Sequence, residues 1–353
     1  MKLKALENKN ILILGLGKEG IDTFRFLRRL FPDKALGVAD RAEIKDSRLK
    51  KARLYLGKNY LEALKNYDLI IKSPGIAIHL PEIEKAYKQK KIISQTEIFL
   101  ENCPAKVIGV TGTKGKSTTA SLIYQILKEA GLPVHLVGNI GKPVLNLLFS
   151  ARPEDIYVYE MSSHQLYGLA KSPQIAVFLN IYPEHLDYYK NFNEYIKAKA
   201  NIAIHQSPSD YLIYNSEDKI VRTIAKKSKA RKIPVKGKFN LLNIAAAESV
   251  ARIFNVPERI IKKAVKKFQP LPHRLEYISQ YKGIKFYDDS ISTIPETAMA
   301  AIDSLGSRVQ TIILGGLDRG INFNKLADKI LNSRIKTLIL FPDTARKIWE
   351  EVI

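Results

Sequence analysis

Cysteine is almost missing from this chain: Cys103 is the only one among 353 residues. A single thiol excludes an internal disulfide framework and fits a reducing compartment. No apolar run approaches the roughly 18–20 residues that a membrane-spanning helix needs, so no membrane insertion is expected. The opening MKLKALENKNILILG passes straight into a strand pattern, without an apolar signal segment and cleavage site. Acidic residues are scarce too: 35 Asp and Glu stand against 57 Lys and Arg, a net charge of +22. The lysines fall in separate stretches, KKARLYLGKNY, KAYKQKK, KKSKARK and IKKAVKKF, with no interleaved aromatic stripe or nucleic-acid-binding module. The charge therefore reads as a solvated basic surface that draws anionic substrates, and no specific nucleic-acid partner is expected.

What the sequence does have is alternation of strand and helix patterns, at a length that calls for two or three domains. This predicts an α/β protein with mostly parallel sheets. NILILGLGKEGIDTFRFLRRL gives a strand, a turn at Gly15, Gly17 and Gly20, and an amphipathic helix, the arrangement of a Rossmann-type turn. ALGVAD ends at Asp40, suited to a nucleotide's sugar or base, and YDLIIKSPGI ends in a ligand-facing loop at Ser73-Pro74-Gly75. ENCPAK reads as a linker. KVIGV, VHLVG, IYVYEM, IAVFLN and YLIYN follow as strands, and 240–254 and 257–268 as helices. The proline-marked FQPLPHR sets a second boundary, beyond which IKFYDDS, VQTIILGG and IKTLILFP are strands with helices between them. The expected domains are 1–103, 104–272 and 273–353.

The sharpest stretch is VTGTKGKSTTASL, Val110–Leu122, set between a β-branched strand and a helix with apolar spacing. A strand turning into a helix aims backbone N–H groups and the positive end of the helix dipole at the turn. Gly112 and Gly115 let the chain close on an anion lined by Thr113 and Lys114; Lys116 can reach the outer phosphates, and Ser117 or Thr118 can offer a hydroxyl to Mg²⁺. The first glycine of the strict phosphate-loop pattern would fall at Val110, so the pattern is relaxed, yet a nucleoside triphosphate site is expected.

Other candidates follow it. Glu160 ends a strand near the loop, well placed for Mg²⁺. NIYPEHLDYY carries His185, a possible metal ligand, beside Asp187, and Lys199 lies in a helical stretch. Asn240 and Asn243, three apart, share a helix face suited to adenine or to a cap. Arg274 at the second boundary is suited to a triphosphate, Asp289, Ser290 and Thr293 stand between a strand and a helix, and Arg319 in LGGLDRG suits a carboxylate.

Taken in order, GVTGTKGKST, EMSSHQL, NIYPEHLD, the lysine of YIKAKANI, FNLLN, PHRLE and DDSISTIPETA resemble the Mur ligases over essentially the whole chain. Within that family, SSHQL and DSISTIPE are similar to the ligases that add D-glutamate. Relatives adding other residues show D-Y-x-H-x-P or D-D-x-Y-N-A-N-P there, and folylpolyglutamate synthetases D-G-A-H-N-P. The resemblance implies a Rossmann-like first domain, a central phosphate-loop domain and a Rossmann-like third domain. It implies a cytoplasmic, monomeric enzyme of peptidoglycan synthesis that uses ATP to join D-glutamate to UDP-N-acetylmuramoyl-L-alanine through an acyl phosphate. Alternatives are another Mur-type or folylpolyglutamate-type ligase, or a nucleotide-binding form with little turnover.

By motif position, Lys116 would stabilise the outer phosphates, Ser117 and Glu160 a first Mg²⁺, and His185 with a carboxylated Lys199 a second. Asn240, Asn243, Arg274 and Asp289 would face the nucleotide. Gly17, Lys18, Asp40, Arg41 and Ser73 would hold the UDP end, Asn139 and Ser162 the muramoyl-alanine, and Thr293 and Arg319 the D-glutamate. Ile291 stands where these ligases commonly carry a lysine, and Arg319 where a lysine is usual. The S-P-x-x-x-S-x-D-x-F motif that closes over the amino acid does not occur before Ile353. The resemblance therefore implies a C-terminally short third domain that ligates D-glutamate poorly.

Overall fold

The computed structural model describes residues 1–44, 49, 51–269, 271–318 and 320–353. They form two compact units: Met1–Ile181 with Tyr188–Lys266, and Tyr182–Asp187 with Lys267–Ile353.

The first unit holds two parallel sheets. In the first sheet, β1 (Ile11–Leu14), β2 (Leu36–Asp40), β3 (Ala52–Leu56), β4 (Leu69–Lys72) and β5 (Ile92–Ile93) stand in the order β3-β2-β1-β4-β5. β1 is an unbroken apolar run, buried at every position, as suits a parallel strand covered on both faces. It feeds α1 (Lys18–Leu30), whose Phe24, Phe26 and Leu27 are buried. After α2 (Pro81–Lys88), Ser94 caps α3 (Gln95–Asn102) by accepting from Glu97 N–H, and α3 leads into the second sheet.

There, β6 (Lys106–Thr111), β7 (Val134–Gly138), β8 (Ile156–Glu160), β9 (Ile175–Phe178), β10 (Tyr211–Asn215) and β11 (Arg231–Val235) stand in the order β11-β10-β9-β6-β8-β7. The helices are α4 (Lys116–Glu129), α5 (Ser163–Leu166), α6 (Phe192–Ala200), α7 (Lys219–Lys227), α8 (Asn240–Ile253) and α9 (Glu258–Lys267). β6 lies between β8 and β9, so the chain leaves to one side of it and returns on the other. Ligands of open α/β sheets bind at the carboxyl ends of strands at such a reversal. The five strands expected here from the sequence are present; β11 is an addition, an edge strand whose Lys, Arg and Pro234 hide its pattern and protect its open edge. β3 and β5 were likewise not expected.

In the second unit, β12 (Glu276–Tyr281) pairs antiparallel with β13 (Ile284–Asp288) through Lys282 and Gly283, both at positive φ. This hairpin departs from the parallel pattern because a two-residue turn can only join antiparallel neighbours. β14 (Thr311–Gly316) and β15 (Thr337–Asp343) pair in parallel. Its helices are α10 (Pro295–Leu305), α11 (Asn324–Leu331) and α12 (Ala345–Val352), and Ile302, Leu326 and Ile330 form its core. No helix among the described residues is long and apolar enough to cross a membrane.

Candidate active site

β6 enters the site buried, with Val110 and Thr111 inaccessible, and the chain then turns through 112–115 into α4. Gly115 stands at φ +86°, and a Cβ there would lie 2.4 Å from Asn243 Oδ1, so a side chain is barred twice over. Asn180, just beyond β9, staples the turn. Its carbonyl accepts from Thr113 N–H at 2.9 Å. Its side-chain oxygen accepts from Lys114 N–H at 2.8 Å, and its Nδ2 donates to Lys114 O at 3.0 Å.

Beneath the turn, Thr113 and Tyr195 share a buried hydroxyl–hydroxyl bond of 3.0 Å. Lys199, 1% exposed, donates from Nζ to Gly112 O at 2.8 Å and lies 5.0 Å from the Tyr195 ring centroid. Lys116 Nζ donates to Thr113 O at 2.9 Å, so its ammonium closes over the loop. The first turn of α4 carries no acidic residue, which leaves the positive end of its dipole uncompensated; Ser117 there is buried and Thr118 half-buried.

β8 runs beside β6 in the register Val110↔Glu160, which brings Glu160 level with the start of the loop. Glu160 is fully buried. Its Oε1 accepts from Asn139 Nδ2 at 3.1 Å, while its Oε2 has no hydrogen-bond partner among the described residues. A buried carboxylate oxygen without a donor is costly unless a cation meets it. With the Ser117 hydroxyl this is a hard oxygen donor set, and it fits Mg²⁺. Asn139, expected at the substrate, orients Glu160.

Asn240 and Asn243 separate in role. Asn243 is buried and accepts from Thr119 Oγ1 at 3.2 Å, tying α8 to α4, whereas Asn240 is exposed at the first position of α8.

The carboxyl ends of β1, β2 and β4 gather a second set. Gly15 stands at φ +91°, and a Cβ on Gly20 would fall 1.9 Å from Gly15 O; a Cβ on Gly17 would meet nothing within 4 Å. Ser73 Oγ donates to Gly15 O at 2.7 Å. Asp40 accepts from Leu16 N–H at 2.6 Å and from Ala42 N–H at 2.8 Å, so its carboxylate shapes the turn. Lys18 and Arg41 are exposed beside it. Ser162 caps α5 in a reciprocal box with Gln165, its oxygen accepting from Gln165 N–H at 3.2 Å.

In the second unit, Thr293 Oγ1 donates to buried Glu184 at 2.9 Å, and His185, at φ +58°, lies with Nε2 3.8 Å from the other Glu184 oxygen. Arg274 is half-buried between His273 and Leu275, both left-handed. Asp289 accepts from Leu275 N–H at 2.8 Å and from the Ser292 hydroxyl, which pins the loop after β13. The bond from His273 Nδ1 to Asp288 (2.6 Å) holds the Asp288 carboxyl down at about 2 and raises the His273 imidazole. Arg319 lies outside the described residues. Asn180, Tyr195 and Glu184 escaped the sequence reading, since their roles come from partners far along the chain.

Residues 110–237 match the Mur ligase middle domain, and residues 9–94 the MurD-like N-terminal domain of Mur ligases. The UDP-N-acetylmuramoylalanine–D-glutamate ligase of Acetivibrio thermocellus is 33% identical over 98% of this chain and 82% of its own length. The chain belongs to the Mur ligase family. The ligase of the same description from Symbiobacterium thermophilum is 36% identical over 85% of this chain and 74% of its own. Among solved Mur ligases, MurF from Acinetobacter baumannii superimposes with a TM-score of 0.62 at 18% identity, covering 96% of this chain and 79% of that one. A pseudomurein peptide ligase type C from Methanothermus fervidus gives 0.58 at 20%, covering 98% and 87%. These share the fold.

Proposed function

We propose that this Mur ligase joins D-glutamate to the carboxyl group of UDP-N-acetylmuramoyl-L-alanine, converting ATP to ADP and phosphate, in cytoplasmic peptidoglycan assembly. One observation carries the reading. A phosphate-cradling turn, beside a buried carboxylate oxygen with no hydrogen-bond partner among the described residues, occurs in a chain one-third identical to a D-glutamate ligase over nearly its whole length.

The substrate carboxylate attacks the γ-phosphorus, giving an acyl phosphate and ADP. The D-glutamate amine attacks the acyl carbon, loses a proton, and phosphate departs with the former carboxylate oxygen. The chain's task is positioning and charge neutralisation. Lys116 and the N-terminus of α4 meet the charge that moves onto the outer phosphates. Gly112–Thr118, with Asn240, Asn243, Arg274 and Asp289, serve ATP. Gly17, Lys18, Asp40, Arg41 and Ser73 serve the uridine diphosphate, Asn139 and Ser162 the muramoyl-alanine, and Thr293 and Arg319 the incoming amino acid.

Ser117 and Glu160 would hold Mg²⁺, and His185 with a carboxylated Lys199 a second; such ions screen the repulsion between carboxylate and triphosphate. A carbamate on Lys199 keeps one N–H, enough to retain the bond to Gly112 O. The test is ATP-dependent phosphate release with each candidate acceptor and amino acid, with the product weighed. Turnover with D-glutamate and UDP-N-acetylmuramoyl-L-alanine together supports the reading; preference for a folate or a tripeptide acceptor overturns it.

A further inference from the structure

The first unit ties its 15–20 turn and its 73–76 loop to the α5 region through a buried polar seam that the ligation chemistry does not use. Glu19, in the first turn of α1 and two residues past Gly17, crosses from the first sheet to the second: its Oε1 accepts from Gln165 Nε2 at 2.6 Å. Gln165, itself buried, accepts from Ser162 N–H at 2.9 Å and so fixes the cap of α5. Lys72, at the end of β4, lies in the same seam. Its Nζ donates to Ser73 O at 3.1 Å, to Ile76 O at 2.9 Å and to the Tyr188 hydroxyl at 3.4 Å. The Tyr188 hydroxyl reaches Pro74 O and Ile76 O at 3.0 Å each, so the 73–76 loop is held from the second sheet as well.

We infer that Glu19, Lys72 and Tyr188 are positioning residues that set the distance between the two ends of the acceptor, and so select a nucleoside-diphosphate-linked acid of one length. The inference rests on the proposed function, which puts the nucleotide end at Gly17, Lys18 and Ser73 and the acid end at Ser162. The Glu19–Gln165 bond joins α1, whose first residue is Lys18, to the helix that Ser162 caps; the Lys72–Tyr188 contact holds the loop that Ser73 opens. A shift of about 1 Å in such a frame costs on the order of 100-fold in rate, because the carboxylate no longer meets the γ-phosphorus in line. Burial raises the Glu19 carboxyl and lowers the Lys72 ammonium to about 8, and each group's charge pulls the other back toward its ordinary value.

The test compares kcat/KM for UDP-N-acetylmuramoyl-L-alanine with that for the same acid ending in a single phosphate. In the parent protein the ratio favours the full-length acceptor. Glu19→Ala is expected to shrink that ratio about tenfold, through kcat with the long acceptor, with KM for ATP unchanged. Glu19→Gln is expected to restore it, since an amide oxygen still accepts from Gln165. Tyr188→Phe, which removes one hydroxyl and keeps the ring packing, shrinks it about threefold. A ratio unchanged in both Glu19→Ala and Tyr188→Phe, with only the melting temperature lowered, overturns the inference. Should calorimetry show that the parent chain binds no UDP-linked acid, the proposed function itself fails and the inference with it.

Discussion

The two glycine turns of the first unit, 15–20 and 112–115, solve one geometric problem with different equipment. Both carry a buried parallel strand into a helix at the carboxyl edge of a sheet. In the first, Gly15 and Gly20 are demanded by the chain's own close approach, and only Gly17 faces open space. Its charges are the exposed Lys18 and Arg41, the Asp40 carboxylate that already holds backbone N–H groups, and Glu19, whose carboxylate is engaged by Gln165. In the second, the glycine at φ +86° abuts Asn243, a buried lysine supports the loop, and a buried carboxylate oxygen has no hydrogen-bond partner among the described residues. On the proposed function, the first turn would hold a ligand and the second would handle charge that moves. A glycine pattern alone does not separate binding from catalysis, whereas the charged groups around it do.

Removing the Lys116 ammonium should separate the turns most. Lys116→Ala is expected to lower kcat about 10³-fold while circular dichroism and UDP-substrate binding stay as in the parent. Near-parent turnover by a folded variant would remove Lys116 from the chemistry. Lys199→Ala is expected to lose about 100-fold and to recover partly in formate, which replaces a carboxylate but not an ammonium. Recovery with small amines instead would argue for an unmodified lysine.

The glycines sharpen the contrast. Gly115→Ala is expected to lose about 1–3 kcal/mol of stability in urea titration, through the left-handed backbone and the contact with Asn243, and to weaken ADP. Gly17→Ala, at φ −64° with open space around it, should change stability by no more than about 0.5 kcal/mol and instead raise KM for the UDP-linked acceptor. The opposite order of stabilities would show that the turns have been assigned the wrong way round.

The smallest effect lies in the second unit. His273 should titrate above its ordinary 6.5 by NMR, and Asp288→Asn should return it there. A histidine raised in the fold contributes stability below 6.5 and loses it as pH rises through the folded value. An aspartate lowered to about 2 contributes above 3.8 and loses its share as pH falls. The pair therefore acts fully only between those two ordinary values.

Much of this was legible in the sequence, where local pattern and local structure coincide. The run from Lys106 to Glu129 announces its strand, its turn and its helix because glycine, lysine and hydroxyl residues are needed there in that order. What stayed hidden depends on distant partners. Asn180 staples Lys114 across 66 residues and Tyr195 meets Thr113 across 82, and no periodicity encodes either contact. Asp40 and Asp289 read as carboxylates facing a ligand, and each is also engaged by a backbone N–H from another loop, those of Leu16 and Leu275. β11 escaped because an edge strand guards itself with the charges and proline that erase a strand's pattern.

The most direct measurement follows one oxygen atom. With ¹⁸O in both oxygens of the alanyl carboxylate of UDP-N-acetylmuramoyl-L-alanine, ligation through an acyl phosphate delivers one ¹⁸O to each phosphate released and leaves one in the new amide. Mass spectrometry of the phosphate should show that single label, in step with the D-glutamyl product, and appearing about 10³-fold more slowly when Lys116 is replaced by alanine. Unlabelled phosphate from the parent chain would mean that ATP is spent on water, and that the turn at 112–115 does not serve the ligation assigned to it.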